Sequence, residues 1–370
     1  MSCGEVSGDL YASAFVSEFL RLRPEFAGHV FGMCGPKSVA AGCDLLWSYE
    51  NLKLMGIFAV IPALPRILRL RDDITREILR REPEAVILID SPDFHLLLAK
   101  HLRKSGYHGK IVSLIPPTVW AWRAGRMKNL KRDFDFCLPL FSFEHEFLKR
   151  HGIDSYWKAH PLVNDFRNFD IPGTFRERFA NARVIALMPG SRKNEIKFHL
   201  EILLRTAEIL RERNYVPVFS VSSGLSENLA RDIRERVASS GFEIWQGEGR
   251  DLMSGSCAVV GVSGTVAVEA MLLNKFMVVI YNMKKLTYLL LRSLVHVKNI
   301  SIPNFLAGEA VYPELICDSV TPENIIHELC AYLNNPDVKL KTDRILMRVK
   351  NLMGSENAAK FWAECVNAKI

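Results

Sequence analysis

Ile87-Leu88-Ile89-Asp90-Ser91-Pro92-Asp93-Phe94 is an apolar run that stops abruptly at two carboxylates. Ala85 to Ile89 is continuous and partly β-branched, so it reads as a short strand buried on both faces, of the kind found inside a parallel sheet. Asp90 then falls at the carboxyl end of that strand, the edge at which open α/β sheets receive their ligands. Pro92 fixes the turn, Asp93 is placed to cap the next helix, and Phe94 to Leu102 continues as that helix. An Asp in this position either takes a proton from a substrate hydroxyl or holds a turn. The stretch by itself leaves both readings open.

The same strand, turn and helix recur on either side. Gly4-Glu5-Val6-Ser7-Gly8-Asp9 is a glycine-bounded polar loop, preceded by a strand stub at Met1 to Cys3 and followed by helical spacing at Leu10, Phe15 and Phe19. His29 to Met33 reads as a strand that Gly35-Pro36 turns into a short helix. Lys110 to Ile115 is another, ending at Pro116-Pro117-Thr118-Val119-Trp120-Ala121-Trp122-Arg123, where core packing of a tryptophan competes with a functional reading. Arg123, Arg126, Lys128, Lys131 and Arg132 form a basic run, a solvated helix face by default and a phosphate-attracting one otherwise. Cys137 to Leu140 is a further strand, and residues 160 to 182, opening on His160-Pro161, read as a crossover between domains.

The second half repeats the pattern with strands at Val184 to Met188, Val216 to Val221, Phe242 to Trp245, Cys257 to Val262 and Met277 to Tyr281. Pro189-Gly190-Ser191-Arg192 leads into a helix from Glu195 to Arg211, whose Ile196, Leu200, Leu203, Ala207 and Leu210 share one face. Alternating strands and helices predict an α/β chain with two Rossmann-like, doubly wound parallel sheets.

Composition agrees. A chain of 370 residues with 49% hydrophobic and 24% charged residues is long enough for two globular domains. The net charge of +7 suits anionic small molecules or an anionic membrane surface, and it lacks the dense basic stripe of a nucleic-acid binder. Eight scattered cysteines have neither Cys-x-x-Cys nor zinc-module spacing and read as reduced thiols in a cytosolic protein. Met1 leads into a polar loop rather than a signal peptide. Leu52 to Leu70 is the most apolar window, but Lys53, Gly56, Pro62, Pro65, Arg66 and Arg69 interrupt it. It therefore predicts burial against the first domain or interfacial membrane contact, not a membrane span.

Ser263-Gly264-Thr265 opens a helix directly after a buried strand, and amides at a helix start attract phosphate. A plain helix cap is the competing reading. Glu269 lies one turn on, where it is placed for ribose hydroxyls, and Arg192 leaves a strand edge of the same half with a phosphate-binding guanidinium. Neither Gly-x-x-x-x-Gly-Lys-Ser/Thr nor Gly-x-Gly-x-x-Gly is present, which argues against P-loop and dinucleotide chemistry. His145, His151 and His160 lack metal-ligand spacing, so neither a metal nor a cofactor is expected.

Taken in order, Gly4 to Asp9, Leu54-Met55-Gly56, Ile89 to Phe94, Val119-Trp120-Ala121-Trp122-Arg123, His160-Pro161-Leu162, Pro189 to Arg192 with Glu195, Ser263-Gly264-Thr265 with Glu269, and Ser301-Ile302-Pro303-Asn304 with Leu306-Ala307-Gly308 closely resemble the motifs of the lipid-A-disaccharide synthases. The resemblance runs from the first residues to about Leu315. It implies a GT-B-like fold with two domains facing one cleft. The expected division is residues 1–160 on the acceptor side with the apolar segment at about 52–70, residues 161–345 binding the UDP-sugar, and residues 346–370, beyond the resemblance, as a terminal helix packing back on the first domain.

The implied reaction joins UDP-2,3-diacylglucosamine to 2,3-diacylglucosamine 1-phosphate, giving a β-1,6-linked disaccharide phosphate and UDP, with inversion and without a metal. Its implied setting is the cytoplasmic face of the inner membrane of a Gram-negative cell, where the protein is peripheral; a homo-oligomer is compatible and nucleic acid is not a partner. The family's catalytic positions fall on Asp90, Arg192 and Asn304. The UDP-sugar is expected at Ser191, Arg192, Ser263, Gly264, Thr265 and Glu269. The acceptor and its acyl chains are expected at Ser7, Asp9, Met55, Asp93, Trp120, Trp122 and Arg123.

The family's Gly-His-Pro is Ala159-His160-Pro161 here, the acidic residue that usually follows aligns with Asn164, and its Ser-Pro-Ser is Pro116-Pro117-Thr118. Two other readings share parts of the pattern. A UDP-N-acetylglucosamine 2-epimerase would use the nucleotide half but not the apolar segment, and a non-catalytic membrane-peripheral lipid-binding protein would use the basic, apolar surface but not the carboxylate.

Overall fold

The computed structural model describes residues 1–52, 60–121, 123–283 and 299–370. The Leu54-Met55-Gly56 motif lies outside the described residues, as does Trp122. The chain divides into two compact units, one comprising Met1–Asn164 with Met353–Ile370 and the other Asp165–Leu352.

In the first unit, β1 (Ser2–Cys3), β2 (Phe31–Cys34), β3 (Asp44–Ser48), β4 (Ala85–Ile89), β5 (Lys110–Leu114) and β6 (Phe136–Leu138) form a sheet in the order β3-β2-β1-β4-β5-β6. Every pairing in it is parallel. The two-residue stub β1 is central: Ser2 pairs with Met33 and Leu88, and Cys3 with Ile89. Buried apolar side chains cover both faces. Phe15, Phe19, Ile87, Val112 and Trp362 lie in one cluster, and Ile74, Leu88, Leu98, Leu102 and Ile111 in the other. The last helix, Ala358–Asn367, packs on the first, Val6–Leu22; Trp362 meets Tyr11 edge to face at 6.3 Å, and Asn357 Nδ2 donates to Glu18 Oε1 at 3.1 Å.

The second unit repeats the plan with β7 (Val184–Met188), β8 (Val216–Ser220), β9 (Glu243–Trp245), β10 (Ala258–Val262), β11 (Met277–Tyr281) and β12 (Glu314–Ile316), in the order β12-β11-β10-β7-β8-β9. These pairings are also all parallel. Both sheets therefore reverse their winding between the first and fourth strand of the unit, at β1/β4 and at β7/β10. Loops leaving such a switch point diverge and open a ligand crevice at the carboxyl ends of the strands. The Gly4–Asp9 and Asp90–Asp93 motifs flank the first, and Pro189–Arg192 and Ser263–Thr265 flank the second.

Strand limits shift slightly from those read in the sequence. β2 begins at Phe31 rather than His29, β5 stops at Leu114 because Ile115 turns to φ 60°, and β6 ends at Leu138. The helix after Asp90 spans Pro92–Lys104, longer at both ends than expected. Among the described residues no helix is long and apolar enough to cross a membrane.

Candidate active site

The backbone at the end of β4 is bent by two consecutive left-handed residues, Asp90 at φ 54° and Ser91 at φ 45°. Such conformations cost non-glycine residues about 1–3 kcal/mol each, and surrounding bonds must hold them. The Asp90 amide donates to Leu114 O at 3.1 Å, and the Phe94 and His95 amides both return to Ser91 O at 3.1 Å. His95 Nδ1 donates to the Asp90 carbonyl at 2.6 Å, while His95 Nε2 accepts from Ser2 Oγ at 2.8 Å. Burial pushes this imidazole down to about 4, so it is neutral in that role.

The loop from β1 packs directly against this bend. A Cβ on Gly4 would lie 2.1 Å from Ser91 Oγ, and one on Gly8 would lie 3.1 Å from Cys3 Cβ. Burial raises the Asp90 carboxyl above its ordinary value, against the opposing effect of the Ser91 amide and the Ser7 hydroxyl. Asp90 and Ser7 are thus brought together.

Asp9 is a correction. It is 2% exposed, and its carboxylate accepts from the Gly35 and Ser38 amides through Oδ1 and from the Lys37 amide through Oδ2, with Ser38 Oγ as a further donor. It caps the Pro36–Ala40 helix from within the fold and offers nothing to an acceptor. Asp93 also differs from its expected capping role. Ser91 occupies the N-cap without a side-chain bond, and the exposed Asp93 carboxylate pairs with Arg123 Nη1 at 2.9 Å and with Arg126 Nη2. Trp120 is held through its Nε1, which donates to Glu144 Oε1 at 3.0 Å, and it meets Phe143 edge to face. Glu144, buried beneath it, is pushed up to about 7 by burial although the Leu140 and Phe141 amides also donate to it.

In the second unit the turn after β7 closes on itself. Gly190 stands at φ 117°, where a Cβ would lie 2.7 Å from Glu195 Cβ. Glu195 Oε2 accepts from the Ser191 amide at 2.9 Å and the Arg192 amide at 3.2 Å, and Oε1 pairs with Arg192 Nη1 at 2.9 Å. Those amides are therefore occupied, and the groups this turn presents are the Ser191 hydroxyl and the 76% exposed Arg192 side chain. The turn after β10 differs. Gly264 sits at φ 155°, and the N-terminus of the Thr265–Leu272 helix has no side-chain cap. The Glu269 carboxyl, half-buried one turn in, is pushed up to about 7, chiefly by burial; Arg250 opposes the shift, and Glu248 and Asp165 add to it. The sequence reading did not name Arg250, and its ion pair with Glu248 at 2.5 Å spans a single residue.

Asn304, a catalytic position by the family resemblance, is 1% exposed with its side-chain amide engaged within the fold. Nδ2 donates to Tyr312 O at 2.7 Å and Glu314 Oε1 at 2.8 Å, while Oδ1 accepts from the Val311 and Tyr312 amides at 2.9 and 2.8 Å. Its work is to fold the loop that leads from Ser301 into β12. Met55 and Trp122, the remaining sequence candidates, fall outside the described residues.

The chain matches the lipid-A-disaccharide synthetase family over residues 1–366. The lipid-A-disaccharide synthase of Geobacter metallireducens is 36% identical over 361 residues, covering 95% of this chain and 92% of the relative. That of Myxococcus xanthus is 35% identical over 88% of this chain and 85% of its own. Among solved structures, the UDP-GlcNAc 2-epimerase of Neisseria meningitidis bound to UDP-GlcNAc superposes with a TM-score of 0.62 over 97% of both chains at 13% identity, a likeness of fold alone. The two doubly wound parallel sheets read from the alternating strands agree with that likeness, and the family match extends the motif resemblance from about Leu315 to residue 366. The chain belongs to the lipid-A-disaccharide synthase family.

Proposed function

We propose that the protein is an inverting glycosyltransferase that joins UDP-2,3-diacylglucosamine to 2,3-diacylglucosamine 1-phosphate, releasing UDP and the β-1,6-linked disaccharide 1-phosphate. The observation that carries the site assignment is the repetition of one topology: a cleft-type carboxylate, Asp90, leaves the switch point of one sheet, and an uncapped helix start, Ser263–Thr265, leaves that of the other.

Asp90 takes the proton of the acceptor 6-hydroxyl as that oxygen attacks the anomeric carbon from the face opposite UDP. The new carbon–oxygen bond forms while the bond to the diphosphate breaks, and UDP leaves with its electron pair. General-base help of this kind is worth about a hundredfold to ten-thousandfold. A carboxyl raised by burial is a stronger base than an exposed one, and the left-handed backbone fixes its direction. On the donor side, the Arg192 guanidinium and the amides at Gly264 and Thr265 meet the charge that develops on the departing diphosphate, with the Ser191 and Ser263 hydroxyls beside them. Glu269 accepts from the ribose hydroxyls. Asn304 acts indirectly, by holding the 301–314 loop.

The acyl chains call for an apolar surface beside the acceptor site, for which Leu52 to Leu70 and Trp120 are the supply, and the same surface would rest on the cytoplasmic face of an inner membrane. Incubating the purified protein with the UDP-diacylglucosamine donor and its acceptor tests the reading. UDP and disaccharide should appear together, in EDTA as well as without it. Formation of an epimer from UDP-N-acetylglucosamine alone, with no disaccharide from the acylated pair, would reject it.

A further inference from the structure

Glu144 is a carboxylate without a task in the reaction scheme, and the fold buries it to 7% exposure. It is the third residue of the helix Ser142–Arg150, which follows β6, and its Oε2 reaches back to accept from the Leu140 and Phe141 amides at 3.2 Å each. That much is an ordinary helix cap, which a single oxygen of an exposed side chain performs equally well. The second oxygen goes elsewhere. Oε1 accepts from Trp120 Nε1 at 3.0 Å, a bond that spans 24 positions and joins this helix to the loop leaving β5. Phe143, the preceding residue, meets the same indole edge to face, with centroids 4.9 Å apart and planes at 89°. A hydrogen bond at the ring nitrogen and a perpendicular ring beside it fix both the position and the plane of the indole. Burying a carboxylate among neutral donors is costly, as its being pushed up to about 7 shows, and the cap alone does not require it.

β4, β5 and β6 are neighbours in the first sheet, so the connections that follow them emerge side by side at its carboxyl edge, and Asp90, Trp120 and Glu144 belong to those three successive connections. Pro116 and Pro117 bring the middle loop no amide donors, and the bonds from the Val119 amide to Pro117 O at 2.7 Å and from the Ala121 amide to Thr118 O at 3.1 Å close on the loop itself. The bond to Glu144 instead ties it to a packed helix. We propose that Glu144 is a positioning residue for the acceptor: with Phe143 it sets the plane of the Trp120 indole, against which the acylated sugar seats. This rests on the acceptor-side reading of Trp120 above. The use of both oxygens makes the role separable from capping. Glu144→Gln leaves a single acceptor, which serves either the indole or the helix amides while the new NH2 group faces the other donor. Trp120→Phe removes that conflict, because the remaining oxygen then serves the amides and no indole N–H opposes the amino group.

The test is a double-mutant cycle on the full chain, with the UDP-diacylglucosamine donor and 2,3-diacylglucosamine 1-phosphate dispersed in detergent, and with melting temperatures measured alongside. Loss of one buried hydrogen bond implies that Glu144→Gln and Trp120→Phe each raise the acceptor KM by about five- to tenfold, with kcat and the KM of the UDP-sugar within about twofold of the unaltered protein. The double variant should match Trp120→Phe alone. An equal loss from Glu144→Gln in both backgrounds would overturn the proposal, since a cap acts whether or not the indole is present. So would a lower melting temperature for Glu144→Gln with the acceptor KM unchanged. Trp120→Phe keeps both amide bonds of Glu144, so comparing it with the double variant decides the matter even where Glu144→Gln alone folds poorly. Trp120→Ala separates the underlying reading: an unchanged acceptor KM there would remove Trp120 from the acceptor side and the proposal with it, whereas a raised KM for Trp120→Ala with none for Glu144→Gln or Trp120→Phe would overturn the proposal alone.

Discussion

His95 Nδ1 lies 2.6 Å from the Asp90 carbonyl oxygen, so a buried ring braces the backbone of the proposed base rather than its carboxylate. The same ring accepts from Ser2 Oγ at 2.8 Å and thereby joins β1, β4 and the following helix. His95→Leu should remove the brace and lower kcat by roughly tenfold or more, whereas His95→Asn, with an amide donor, should recover most of it. The pH dependence has a definite sign. The imidazole falls from its ordinary 6.5 to about 4 because burial disfavours its charge, so the unfolded chain binds more protons between those values. Stability is therefore present above pH 6.5 and is lost as pH falls toward 4, by at most about 3 kcal/mol from this group. Urea titrations across that range should show a shallower decline for His95→Asn than for the unaltered protein.

Asp90→Asn tests the base itself. The amide preserves size while removing proton acceptance, so kcat should fall about a hundredfold to ten-thousandfold with UDP affinity unchanged. Because burial raises the carboxyl, the acid limb of the kcat/KM profile should lie above the ordinary carboxylate range and vanish in the variant's residual activity. Near-normal turnover by Asp90→Asn would remove Asp90 from the mechanism.

Gly4 offers an independent handle on the same bend. A methyl group there would lie 2.1 Å from Ser91 Oγ and 2.7 Å from Ser91 Cβ, contacts that folded proteins do not tolerate. Gly4→Ala should cost about 1–3 kcal/mol of stability and slow transfer by displacing Ser91 and with it Asp90. Ser91 is itself left-handed, a conformation that glycine accepts freely, so Ser91→Gly should relieve the clash. The double variant should be more stable and more active than Gly4→Ala alone. Additive losses would show that the two loops are not coupled through this contact.

What was legible in the chain follows from how local each signal is. Ala85–Ile89, Val184–Met188 and Met277–Tyr281 are continuous apolar runs, and the structure starts and stops them where their side chains do. β3 and β12 escaped notice because they are edge strands, begin with Asp44 and Glu314, and bury no residue fully. The position of Asp90 could be read because a strand end is local. His95 could not, since its meaning depends on Ser2, 93 positions away. Asp9 misled for the same reason: in a glycine-bounded loop it resembles a ligand group, yet its partners are the amides of a helix start 26 to 29 residues on. A polar residue's type is visible in sequence, but whether its hydrogen bonds are already spent is a tertiary fact.

Asn304 is where that distinction is most open to measurement. Its amide makes four bonds and holds the Val311 and Tyr312 amides, Tyr312 O and Glu314 together, and Glu314 Oε1 also accepts from the Ser301 amide and hydroxyl at 2.9 and 2.7 Å. Asn304→Ala would strand several buried polar groups, each worth about 1–3 kcal/mol when left unpaired, so a fall in melting temperature should accompany any loss of activity. Asn304→Asp keeps both acceptors for Val311 and Tyr312 but sets a carboxylate against Glu314 and the Tyr312 carbonyl, so it should be no better than alanine at neutral pH. A residue acting directly on the donor would behave otherwise: kcat would fall with the melting temperature unchanged. Measuring the two together on both variants separates a loop-holding asparagine from a ligand-touching one.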